Sequence, residues 1–169
     1  MSADSVAPGV CFSEAALKEY RELLGHYPSR RAALLPTLWI AQREFGWISP
    51  EVEEYVARLM ELPASHVGAV VSFYSMFHRR PVGRFHLEVC LNLSCRLRGA
   101  DRMLDCIVRK LGIRPGETTD DGMFTLGTVE CMASCATAPM LQLNHDLYYE
   151  NLTEDSVTKL IDELRKRGD

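Results

Sequence analysis

Four of the six cysteines in this 169-residue chain fall in two tight pairs. Cys90 and Cys95, in "VCLNLSCRLRG", have four residues between them, and Cys131 and Cys135, in "VECMASCATAP", have three. Thirty-five residues separate Cys95 from Cys131. Thiolates are soft donors, and four that converge bind either one tetrahedral zinc ion or an iron–sulfur cluster. Structural zinc sites mostly use shorter spacers, though four residues are allowed. The four-residue spacer recurs in [2Fe–2S] proteins, where a pair of thiolates clasps one iron of a two-iron rhomb. Spacing alone leaves both open, beside the plain alternative of four buried core cysteines. The small residues Ala133, Ser134, Ala136 and Thr137 let backbone N–H groups approach sulfur, a contact that sets reduction potential. A redox dithiol would need Cys-x-x-Cys, which is absent. Cys106 lies in an amphipathic stretch, where a small buried hydrophobe is expected. Cys11 is given no role.

The rest of the composition narrows the chemistry. A formal net charge of −4 argues against nucleic acid, which demands a basic face. With 47% hydrophobic and 25% charged residues the chain reads as ordinary globular protein. The opening "MSADSVAPGV" has neither the basic and apolar regions of a signal peptide nor an Arg-rich amphipathic pattern. Apolar runs such as "AALLP" and "AVVSF" are too short to insert in a bilayer. A reducing, cytoplasmic setting follows, and there six cysteines are not a disulfide framework. No G-x-G-x-x-G or P-loop occurs, so nicotinamide and flavin are expected on another chain. His26, His66, His78, His86 and His145 show no ligand spacing and are expected to pack or face solvent. Phe73, Tyr74 and Phe77 could be core or docking residues, and Arg96 and Arg98 could be solvated or tune a metal centre.

The cysteines need elements to bring them together. The first half of the chain predicts four short helices. Ser13 is an N-cap for "EAALKEYRELL", with Phe12 and Leu17 as a staple and Gly25 as C′. A second helix covers about 31–45 and stops at Gly46, with Pro36 forcing a kink or a late start. Ser49-Pro50 opens "EVEEYVARLMEL", and "ASHVGAVVSFYSMF" is the fourth helix. After "HRRPVGRF" the character changes. "FHLEVCL" alternates as a strand, "ADRMLDCIVRKLG" is an amphipathic helix, and "MFTLGTVE" is a second strand. "MLQLN" and "LYYEN" form a hairpin, and Thr153 or Glu154 opens the last helix. The order β-α-β, then β-β-α, is thioredoxin-like in outline. If the first two strands are parallel neighbours, their ends share one sheet edge, and both cysteine loops emerge there.

With the motifs laid out, a resemblance becomes specific. The four cysteines, "YPSRRAALLPTLWIAQREFGWISPE", "VVSFYSMF", "LGIRPGETTDDGMFTL" and "TAPMLQLN" together resemble the thioredoxin-like [2Fe–2S] ferredoxins found in the NADH-oxidising module of respiratory complex I, the NADH:quinone oxidoreductase. The likeness runs from about Phe12 to Leu164. It agrees with the α+β fold expected from the elements: a flexible N-terminus at 1–12, a small helical bundle at 13–78 and a thioredoxin-like α/β domain at 79–169. It implies that Cys90, Cys95, Cys131 and Cys135 hold one [2Fe–2S] cluster and that no residue of the chain is catalytic. It further implies electron transfer with the FMN of an NADH-binding flavoprotein subunit, beside other iron–sulfur subunits. The expected place is cytoplasmic, in a peripheral arm on the inner face of the plasma membrane, without direct membrane insertion. The equivalent subunit of an NAD-linked hydrogenase or formate dehydrogenase resembles the same family. A zinc-stabilised interaction domain is the alternative of another class. Met132-Ala133 stands where the family commonly has Leu-Gly, and alanine resists positive φ.

Overall fold

A computed structural model describes residues 10–168. It divides into two compact units at the Pro81–Val82 link. The first is helical. Helix α1 (Glu14–Leu24) starts where Ser13 Oγ accepts the Ala16 N–H at 3.3 Å. It ends without a left-handed glycine, however: Gly25 keeps φ −67°, and successive turn bonds close the end. Helix α2 (Leu34–Phe45) follows a 3-10 turn at Arg31–Ala33. Pro36 thus occupies the first turn, where its missing N–H would have had no partner anyway, so the proline delays the helix and does not kink it. Gly46, at φ +80°, ends it. Ser49 Oγ caps α3 (Pro50–Met60) through the Val52 N–H.

Helix α4 (Ala64–Phe73) is shorter than the sequence predicts. The backbone turns extended at Tyr74, and Phe77 swings into the core against Trp39, ring centres 5.7 Å apart. The three aromatics therefore divide, with Phe77 buried and Phe73 79% exposed. The core of this unit includes Tyr20, Leu38, Val56, Met60, Val67 and Val71. Phe12 belongs to it too, at 3% exposure, with its N–H donated to Tyr55 Oη at 2.9 Å. The flexible terminus expected for 1–12 therefore does not extend to Phe12, while residues 1–9 lie outside those described.

The second unit is a four-stranded mixed sheet. Strands β1 (Phe85–Cys90) and β2 (Phe124–Val129) are parallel, with Cys90 opposite Val129. Strand β3 (Leu141–Leu143) runs antiparallel to β1 and to β4 (Leu147–Tyr149). A tight turn with Asn144 and His145 at positive φ joins these last two. Between β1 and β2 lie a short helix α5 (Leu93–Leu97) and the longer α6 (Ala100–Leu111), split by Gly99 at φ +98°. Helix α7 (Glu154–Gly168) closes the chain. Its first turn is capped reciprocally, Thr153 Oγ1 accepting from the Ser156 N–H and Ser156 Oγ from the Thr153 N–H.

Alternation sorts β1 into two faces. Phe85, Leu87 and Val89 share a core with Met103 and Ile107 of α6 and Val157, Ile161 and Leu164 of α7. His86 and Glu88 take the other face, both buried. Sequence spacing joins none of the histidines to a common site, but the β3–β4 turn carries His145 back, and its Nδ1 lies 2.8 Å from Glu88 Oε2. Burial lowers the His86 pKa; Glu88 opposes the shift and His145 reinforces it. Gly127 makes room for this pair of layers, since a Cβ there would meet His86 Nε2 at 2.9 Å.

Candidate metal centre

Parallel pairing delivers both cysteine loops to one edge of the sheet. Cys90 is the last residue of β1, and its N–H donates to Met140 O at 3.2 Å, just before β3. On its other side the Leu91 N–H donates to Val129 O at 3.0 Å. Cys131 comes two residues after that same Val129. The chain turns at Asn92, whose side-chain oxygen accepts the Leu93 N–H at 2.9 Å, and α5 then presents Cys95 inward. Cys135 opens a 3-10 turn, Cys135–Thr137, on the approach to β3.

The two pairs meet different surroundings. Cys90 and Cys95 are each 2% exposed and pack with Ala100, Ala138 and Met140. Cys131 and Cys135 are exposed. Burial pushes the Cys95 thiol up to about 11, helped by its hydrogen bond to Cys90 and by the charges of Cys90 and Cys135; the Met140 N–H opposes the shift. The Cys90 and Cys135 charges thus both act on the Cys95 thiol. Coordination to a metal removes a thiol proton outright, so this donor set suits a metal centre better than free thiolates. All six cysteines are free. Cys106 is half-buried on α6, its Sγ 3.7 Å from Thr158 Oγ1, and Cys11 is exposed.

The loop between Cys131 and Cys135 keeps its backbone contact to sulfur despite the alanine. Ala133 adopts φ +60°, and its N–H donates to Cys131 Sγ at 3.3 Å. An L-residue in this conformation costs roughly 1–2 kcal/mol, so neighbouring groups must hold it. Ser134 Oγ and Thr137 Oγ1 both bond to the Glu150 carboxylate, the latter at 2.6 Å. Those two bonds, Ser134 first, hold the Glu150 carboxyl below the usual carboxylate range. Glu150 belongs to no motif and reaches the loop only because the β3–β4 hairpin doubles back. The serine and threonine flanking the last cysteine are its one sequence signal.

Leu93 and Leu97 are 69% and 79% exposed on either side of Cys95. Arg96, between them, lies 3.7 Å from Asp101, and both side chains are well exposed.

The model of the thioredoxin-like [2Fe–2S] ferredoxins matches residues 20–165. The chain belongs to that family. It is 42% identical over 155 residues to the E subunit of NADH-quinone oxidoreductase from Rickettsia felis, covering 90% of this chain and 92% of the relative. NADH-quinone oxidoreductase subunit 2 of Thermus thermophilus is 44% identical, over 85% of this chain and 81% of its own. Among solved structures, an NAD+-reducing [NiFe]-hydrogenase superposes with a TM-score of 0.70 at 20% identity, over 79% of this chain and 23% of the hydrogenase chain. That last likeness concerns the fold. The family relationship extends through both the helical unit and the sheet.

Proposed function

We propose that Cys90, Cys95, Cys131 and Cys135 hold one [2Fe–2S] cluster and that the chain is the electron-transfer subunit of an NADH-oxidising module in an NADH:quinone oxidoreductase. One observation carries the reading: parallel strands bring both cysteine loops to one edge, with two of the four cysteines buried among apolar side chains and two exposed. When bound, a [2Fe–2S] cluster exchanges single electrons. The chain's own part is to supply four thiolates, bury one pair and leave the other at the surface. The family supports a [2Fe–2S] cluster over zinc. Relatives at about 40% identity over most of their length support NADH:quinone oxidoreductase over the hydrogenase and formate dehydrogenase alternatives.

In this reading the subunit is not catalytic. Hydride chemistry belongs to a flavoprotein subunit with FMN and NADH, and further iron–sulfur subunits complete the complex. The exposed Leu93 and Leu97 beside Cys95 support contact with a partner there. Among the described residues no helix is long and apolar enough to cross a membrane. This suits a peripheral arm held to the inner face of the plasma membrane by other subunits.

The test has two arms. The purified chain should be red-brown, and serine at any of the four cysteines should impair that chromophore, while Cys11→Ala and Cys106→Ala leave it. Serine offers a hard, poorly matched ligand. NADH should reduce the chromophore only after the flavoprotein subunit is added. An unaltered spectrum in any of the four serine variants would end the assignment, as would NADH-to-dye turnover by the flavin-free chain.

A further inference from the structure

We propose that Glu150 is a positioning residue: by tying down Ser134 and Thr137, it holds Ala133 at the positive φ that directs its N–H onto Cys131 Sγ. The proposal rests on Cys131 being a cluster ligand. Ser134 follows Ala133 directly, so fixing Ser134 fixes the far end of the strained residue. Its hydroxyl bonds to the Glu150 carboxylate, as does that of Thr137 at 2.6 Å. The two hydroxyls lie 2.8 Å apart, and the Thr137 N–H donates to Ser134 O at 3.2 Å. Hydroxyl bonds to a charged acceptor are among the stronger hydrogen bonds.

Glu150 is itself anchored. The next N–H, that of Asn151, donates to Thr137 O at 2.7 Å, and the Leu152 N–H donates to Pro139 O at 3.0 Å. The segment after β4 thus grips the segment after Cys135 by backbone and side chain together. Glycine at position 133 would need no such hold, because it takes positive φ freely. Alanine does need one.

The sign of the effect separates positioning from charge. A hydrogen bond to a ligand sulfur favours the more negative, reduced state, so losing the Ala133 N–H lowers the reduction potential. Removing a nearby carboxylate charge by itself raises it. Glu150→Gln keeps an acceptor oxygen and removes the charge, so the potential should rise. Glu150→Ala removes both charge and tie, so it should lie below the Gln variant and lose its cluster to a chelator faster. Ser134→Ala with Thr137→Val removes the tie and leaves the charge, so its potential should fall below wild type.

The measurement is a redox titration of the cluster-loaded full chain, followed by EPR, with chelator-driven bleaching alongside. In an Ala133→Gly background the gap between Glu150→Ala and Glu150→Gln should narrow. Equal upward shifts in the two Glu150 variants would overturn the proposal, as would a gap that Ala133→Gly leaves unchanged or a double variant at wild-type potential. The chromophore of Cys131→Ser reports separately on the ligand reading.

Discussion

Arg96 tests whether one charge adjusts a neighbouring centre. It adjoins Cys95 in sequence, and a cation near a centre of net charge about −2 favours reduction. Its guanidinium is 3.7 Å from Asp101, with both groups more than half exposed, so part of its field is cancelled locally and solvent screens much of the rest. Arg96→Gln should lower the potential by on the order of 20 mV, more at low ionic strength. Asp101→Asn should raise it by a similar amount. Redox titrations of both variants against wild type decide it, and an Arg96 variant with no shift, or a rise, at low ionic strength would refute the tuning role.

At the scale of elements, the entry into β1 is set by backbone contact. Gly83 is buried, and its N–H donates to Thr125 Oγ1 on β2 at 2.6 Å. A Cβ there would lie 2.9 Å from both Phe124 N and Phe124 C and 3.0 Å from Gly122 O. All three are backbone atoms and cannot rotate aside. Gly83→Ala should therefore push β1 away from β2 and destabilise the chain by about 1–3 kcal/mol. Since β1 ends at Cys90, the same shift should speed cluster loss to a chelator. A thermal midpoint and bleaching rate equal to wild type would show that the strands yield. The serine caps of α1 and α3, the start of α7 at Thr153 or Glu154 and the stop at Gly46 were legible in sequence because each acts within one turn, whereas the reciprocal bond from Ser156 was not read there. The early end of α4 was not, because it depends on Phe77 finding a place against Trp39.

For the whole molecule, the two units carry different burdens in our reading. The described helical unit has its own apolar core, and none of the four cysteines lies in it. A chain beginning at Val82 should keep the red-brown chromophore, since β1, β2, both cysteine loops and the α6–α7 layer remain. It should bind the flavoprotein partner less tightly than the full chain, because docking area is lost. Titration calorimetry of both chains compares the affinities. Equal affinity would remove the helical unit from the interface, and a colourless fragment would mean that it supports the centre itself.

The resemblance of its motifs pointed to the family, and the sequence by itself determined the cysteine pairing, the helical and thioredoxin-like halves and the absence of a nucleotide-cradling motif. These follow from local chemistry: thiol spacing, apolar periodicity of 3.6 or 2, and capping residues. Only the tertiary structure decided what depends on chain segments meeting from afar. It sank Cys90 and Cys95 at 2% exposure while leaving Cys131 and Cys135 open. Through one tight turn it set His145 against Glu88, and through the same hairpin it carried Glu150 back to Ser134 and Thr137. It also kept Ala133 at a φ that glycine would take freely. Local propensity opposes that conformation, and contacts brought by a distant strand outweigh an opposition of roughly 1–2 kcal/mol.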